Sequence, residues 1–260
     1  MEQDKRSQIK KYFAKFPKWT VVAIFFGLLL LGAKGLGIIP IAIGIWGIVA
    51  YYKKPSDAQM DAWIAEDLKN LQSKALAKTG LDPSELIGES VMVYGPRFWN
   101  VGGAEVGIKK GKDDLVRFMP IGVTVINFTQ HQLVAYQCAV DLTTGNPLSE
   151  STDEYFYRDV VSVATQSKTM TWDKASLAAK AQSSKPLAAL MTGGKLQFNA
   201  AETFVLTTSG GTSIEVILRD PQLIEKVGGG SIPTDTADKA VQTVRKMLRE
   251  KKTAAAAASA

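Results

Sequence analysis

Histidine and cysteine are nearly missing from this chain: His131 and Cys138 occur once each in 260 residues. One cysteine excludes an internal disulfide and is compatible with a reducing compartment. Together the two residues cannot assemble a Cys/His zinc set within one chain. A Ser-His-Asp or Cys-His arrangement would have to use His131, which lies in the turn-like stretch Thr129 to Gln132 and reads as exposed. Cys138, beside Tyr136 and Val140 in an expected strand, reads as a buried thiol. Gly228 to Gly230 lacks the Lys-Ser/Thr of a phosphate loop and reads as a linker. The acid pairs Asp113–Asp114 and Asp153–Glu154 sit beside turns and read as solvated loops. No cofactor, metal or catalytic set is expected, so the chain is read as non-enzymatic. An enzyme using unassigned carboxylates and serines is the minor alternative.

Net positive charge is missing outside the N-terminal region. The chain carries +6 with a pI near 9.2, a balance that by itself suggests nucleic acid. Residues 1–54, however, hold nine basic side chains against Glu2 and Asp4, a net +7 that leaves the remainder at −1. A nucleic-acid module would place its charge on the folded domain, whereas a cluster beside an apolar run is attracted to anionic lipid. Nucleic acid is therefore not an expected partner, and a lipid bilayer is.

What the sequence has in abundance is one apolar stretch, Trp19 to Tyr52, where Lys34 is the only charge in 34 residues. An unbroken helix of this length would measure about 50 Å, against a hydrocarbon core of about 30 Å. Gly32, Gly35, Lys34 and Pro40 interrupt its middle. The expectation is a short transmembrane hairpin over 19–54, with helices at 20–33 and 37–52 and a turn at 33–36 where Lys34 reaches water. Trp19, Tyr51 and Tyr52 are read as interfacial anchors, and Lys34 and Pro40 as turn determinants. A single tilted span and a cleaved signal peptide are the alternatives; Leu31 falls where cleavage wants a small residue. Glycines 27, 32, 37, 44 and 47 let the two helices approach closely or let copies associate.

Residues 1–18 form a basic tail, read either as an amphipathic surface helix or as a disordered segment. Residues 55–80 form a connector containing a helix at about 57–78, with Met60, Ile64, Leu68, Leu71 and Ala75 on one stripe and Gly80 as its stop. From Leu86 the period changes to two. Strands are expected near 89–94, 104–109, 114–119, 121–129, 132–140, 155–166, 194–199, 202–208 and 212–219. Ser209-Gly210-Gly211-Thr212 marks the clearest hairpin. Residues 173–191 read as an inserted helix or excursion. A helix starting at Thr234 or Asp235 carries Ala240, Val241, Val244 and Leu248 at helical spacing, followed by the Ala-rich tail 253–260.

Strands closed by one C-terminal helix, together with Tyr155-Phe156-Tyr157-Arg158-Asp159-Val160-Val161-Ser162-Val163, resemble bacterial membrane-anchored pleckstrin-homology-like proteins over about 115–252. The resemblance implies an α+β fold over 81–252, an antiparallel β-barrel or sheet of that type closed by the helix, beside a membrane hairpin. Residues 81–113 and 173–191 depart from a minimal barrel, and another antiparallel sheet with helices is the alternative. The resemblance also implies that Lys109, Lys110, Lys112 and Arg117, around one early hairpin turn, are candidates for holding anionic lipid head groups.

The expected function is thus a membrane-anchored interaction module, an adaptor or scaffold at the cytoplasmic side of a bacterial inner membrane. It would bind an unidentified protein partner or self-associate, with anionic-lipid binding as the alternative.

Overall fold

A computed structural model describes residues 2–31, 36–98, 101–173, 195–219, 224–225, 228–232 and 235–258. The chain divides into two compact units, Met1–Trp63 and Ile64–Ala260, with the division inside one helix.

The first unit is helical. α1 spans Glu2–Phe13, α2 Trp19–Leu30 and α3 Ile38–Tyr52, and α4, Asp57–Thr79, begins in this unit. The basic tail is therefore an ordered helix, burying Ile9 and Tyr12 while Lys10 and Lys11 stay exposed. The Tyr12 hydroxyl donates to the Asp57 carboxylate at 2.7 Å. Pro40 falls in the first turn of α3, where its missing N–H costs nothing. Lys34 and the turn it was expected to mark lie outside the described residues.

α2 and α3 pack backbone against backbone. A Cβ on Gly37 would collide with the Gly27 carbonyl oxygen, and one on Gly44 would lie 2.7 Å from the Thr20 carbonyl oxygen. The small-residue face is therefore consumed inside the pair and is not left for other copies. Outward, Val22, Phe25, Leu29, Ile39 and Trp46 are 65–69% exposed. Each such side chain forgoes about 1.5–3 kcal/mol of burial in water, and their contiguity is far from the scattered apolar residues of an ordinary surface.

The transmembrane expectation is overturned. Among the described residues, no helix is long and apolar enough to cross a membrane. α2 has 12 residues and α3 has 15, about 18 and 22 Å, against a hydrocarbon core of about 30 Å. The sequence run is long enough, but the helices that form from it are not.

In the second unit, α4 ends at Gly80, whose φ of +70° suits a left-handed helix stop. Among the described residues nine strands follow: β1 Val91–Pro96, β2 Gly107–Lys110, β3 Val116–Met119, β4 Ile121–Phe128, β5 Gln132–Asp141, β6 Asn146–Phe156, β7 Val160–Asp173, β8 Lys195–Thr208 and β9 Ser213–Arg219. α5, Asp235–Ala258, closes the chain and absorbs most of the Ala-rich tail. The strands form three antiparallel sheets, ordered β1-β4-β5-β6, β2-β3 and β7-β8-β9. The barrel expectation is corrected here: among the described residues the sheets do not hydrogen-bond into a closed ring. The four-stranded sheet and the β7-β8-β9 sheet share instead one core in which Ile126, Phe128, Leu133, Phe204, Leu206 and Ile214 meet Val241 and Val244 of α5. β1 also approaches β9 so closely that a Cβ on Gly95 would run into the Ile217 carbonyl.

Three strands differ from the sequence reading: the expected strand 155–166 is broken by a turn at 157–159, so β7 starts only at Val160. β6 covers Asn146–Phe156, where the sequence suggested a strand only from 155, and β8 is one strand where two were expected. The expected insertion 173–191 falls, apart from Asp173, outside the described residues.

Candidate interaction groove

β7 lies at one side of its sheet, paired with β8 and with no second strand neighbour among the described residues. An edge strand presents a row of backbone N–H and C=O groups to whatever lies beside it. Here the neighbour is α5, which packs against β7 and β1. Between them runs a groove of about 270 Å³, with Val160 to Val163 on one wall and Arg245, Leu248, Arg249 and Lys252 on the other.

Helical spacing explains the second wall. Arg245, Arg249 and Lys252 stand at i, i+4 and i+7, so they form one stripe. Leu248 lies next to that stripe and is buried, which turns the stripe along the margin of the core. Neither Arg245 nor Arg249 has an ion-pair partner among the described residues. Lys252 Nζ donates to the Val160 carbonyl, so one backbone acceptor of the edge is already engaged. Val161 is 60% exposed on the β7 wall.

A wider concavity of about 510 Å³ lies beyond the C-terminal half of α5, bordered by Gln130, His131, Phe156, Tyr157, Arg158, Lys251 and Ala254. Its shape is set by a fixed corner. The buried Tyr157 hydroxyl donates to the Thr129 carbonyl at 2.7 Å, and the Asp159 amide donates to the Phe156 carbonyl. Burial pushes the Tyr157 phenol up to about 12, so it stays a donor at ordinary pH. Arg158 is extended over the Phe156 ring at 5.4 Å and approaches Asp159 only at 3.8 Å. Lys251 Nζ donates to the Gln130 side-chain oxygen at 3.0 Å. The two concavities thus share α5 as a wall, and their cations share a sign.

No family model, curated protein or solved structure matches this chain. The site has to be read from its own geometry.

At the lysine-rich turn expected to hold lipid, the basic groups have partners within the fold. Arg117 is only 4% exposed and grips Asp113 through two nitrogens, at 2.9 and 2.6 Å. That grip holds the Asp113 carboxyl well below its usual range. Lys110 pairs with Asp114 at 2.8 Å and donates to the Gly228 carbonyl at 3.2 Å. Lys109 faces Arg117 across the β2–β3 register, and both Lys109 and Lys112 have interactions of their own. The turn is therefore stitched by its own acids, and Arg117 acts inside the fold.

The remaining predicted residues are placed as follows. Trp19 opens α2 and lies beside Gly47; Tyr51 meets Phe16 and Tyr52 edge-on at 5.1 and 5.7 Å, with the Lys54 ammonium 3.7 Å from its ring centre. His131 is an exposed turn residue, and Cys138 is fully buried with its thiol pushed up to about 11 by desolvation. No group of His, Cys, Asp and Glu able to hold a metal occurs among the described residues. The groove itself was absent from the predicted sites. Its signal was present in the spacing of Arg245, Arg249 and Lys252, which reads equally as a solvated helix face until the edge of β7 is seen beside it.

Proposed function

We propose that the second unit is a non-enzymatic interaction module that takes an acidic, extended segment of a partner protein along β7. The observation that carries this is the pairing of an edge strand with the basic stripe of α5 across the groove. An extended segment would add to the sheet through main-chain hydrogen bonds, while alternate side chains would meet Val161 on one side and the guanidinium groups on the other. Charge complementarity would then select acidic over basic segments and quicken association.

The test uses the full chain in detergent and a fluorescein-labelled octapeptide alternating Val and Glu, with the Val/Lys octapeptide as control. Fluorescence anisotropy should report binding of the acidic peptide alone, weakened by rising salt. Reversing both Arg245 and Arg249 to Glu should weaken it about tenfold, while Lys246→Glu, beside Glu250, should leave it unchanged. Equal binding of both peptides, or an unaltered affinity in the double variant, would sink the reading.

A further inference from the structure

We propose that Arg97, beside the crossing of β1 and β9, anchors a binding site for a small organic carboxylate. The site shares no residue with the β7 groove and does not depend on its reading.

Strand pairing builds the cavity. Gly122 and Thr124 are two residues apart in β4 and therefore face the same side of the sheet. Gly95 of β1 stands opposite Gly122, and Gln137 of β5 stands opposite Thr124, so all four share that face. Where the two glycines meet, no side chain fills the space above the sheet. Arg97 lays its stem there: a Cβ on Gly122 would come within 2.9 Å of Arg97 Cβ and 3.3 Å of its Cδ. Glu215, Val216 and Ile217 of β9 line the other wall, and a cavity of about 110 Å³ remains between them.

The charge at this cavity lacks a counter-charge. Arg97 Nε is buried with no hydrogen-bond partner. Burial holds the guanidinium below its ordinary value, and no carboxylate among the described residues offsets that burial. Glu215 is exposed and has an interaction of its own, so it is not the missing partner. An uncompensated buried cation is costly. Arg117, also buried, meets that cost with both oxygens of Asp113. Arg97 has the same guanidinium without the acid, and a planar carboxylate is the partner its fork matches.

The rest of the wall suits such a ligand. Thr124 brings a hydroxyl, and Gln137 Nε2 lies 3.4 Å from Asp153 Oδ2, near the limit of a hydrogen bond. Both groups can donate to carboxylate oxygens, while Val216 and Ile217 supply apolar surface for a short carbon chain. Size sets the class. A cavity of about 110 Å³ is well below the roughly 300 Å³ at which pockets for drug-sized ligands begin, so a short-chain acid fits and a nucleotide does not.

The test sets the full chain against sodium propionate at neutral pH, with sodium chloride at matched ionic strength as control. Propionate should raise the thermal unfolding midpoint saturably, and saturation-transfer NMR should detect its methyl protons on the protein. Arg97→Met keeps the stem over Gly122 and removes the charge, so both signals should vanish. Arg97→Lys keeps a charge without the fork and should weaken binding about tenfold. Without propionate, Arg97→Met should unfold at an unchanged or higher urea concentration, because an unpaired buried charge is gone. A clear fall would mark Arg97 as purely structural and overturn the proposal. So would the absence of a saturable effect of propionate, or an equal effect in Arg97→Met. Reversing Arg245 and Arg249 to Glu should leave propionate binding unchanged; its loss there would place the ligand in the β7 groove and overturn the site. Stabilisation by inorganic phosphate and not by propionate would overturn the carboxylate class.

Discussion

The two units treat apolar side chains in opposite ways. In β4 all eight residues of Ile121–Phe128 are buried, because the strand is central in its sheet and covered on both faces. In α2 a run of comparable hydropathy leaves Val22, Phe25 and Leu29 about two-thirds exposed. The difference lies in what each has available to pack against. β4 has two strand neighbours, a second sheet and α5, whereas α2 has one partner helix, and that contact is made through glycine backbone. Hydropathy therefore says how much a segment loses in water, and the number of neighbours says whether the fold itself removes that loss.

The comparison can be broken from the β side first. Phe204 is fully buried in the shared core, so Phe204→Ala should cost about 3–5 kcal/mol, read as a lower urea midpoint. Disulfide cross-linking between thiols placed at Thr20 and Gly47 should not change, because the α2–α3 contact is left intact; coupled loss of both would show that the units are not independent. On the helical side, Gly37→Leu should cost about 1–3 kcal/mol by overpacking and splay α2 from α3. Disulfide cross-linking between thiols placed at Thr20 and Gly47 would report the loss, while the urea midpoint of the β unit stays fixed.

A smaller effect sharpens the picture of the groove. Tyr157→Phe removes a buried donor and leaves the Thr129 carbonyl without that bond, for about 1–2 kcal/mol, measured by urea unfolding. The smallest effect concerns pH. Lys78, with Lys74 beside it, holds the Glu150 carboxyl below its ordinary value, and Arg117 does the same for Asp113. A carboxyl whose folded value is depressed stabilises the fold fully above its unfolded value. That contribution disappears as pH falls through the depressed folded value. Stability should therefore decline on acidification below the ordinary carboxylate range, and Glu150→Gln with Asp113→Asn should flatten the decline. The Glu150 share should stay below about 1 kcal/mol, since solvent screens the pair.

Much of this was legible in the sequence where a local rule decided the matter. The 57–78 helix, its Gly80 stop and the Ser209–Thr212 turn each follow from residues close together in the chain, and each is found. β6 was not legible, because a mostly exposed strand reading NPLSESTDEYF has neither alternation nor hydropathy to mark it. Helix length was misread because the run from Trp19 to Tyr52 shows where apolar residues begin and end, not where helical hydrogen bonding stops. The burial of Arg117 was not legible, because proximity in sequence to Lys109, Lys110 and Lys112 hid the strand pairing that turns it into the fold beside Asp113. The groove could not be derived at all from local pattern: Val161 and Arg249 are far apart in the chain, and only their pairing gives either one meaning.

One contact has a further consequence. By donating to the Val160 carbonyl, Lys252 places a charge against the β7 edge, one of several strand edges among the described residues. Edges left bare are templates on which identical chains stack into fibrils, and a lysine there is a standard deterrent. At high local concentration, Lys252 keeps the chain from treating itself as its own ligand.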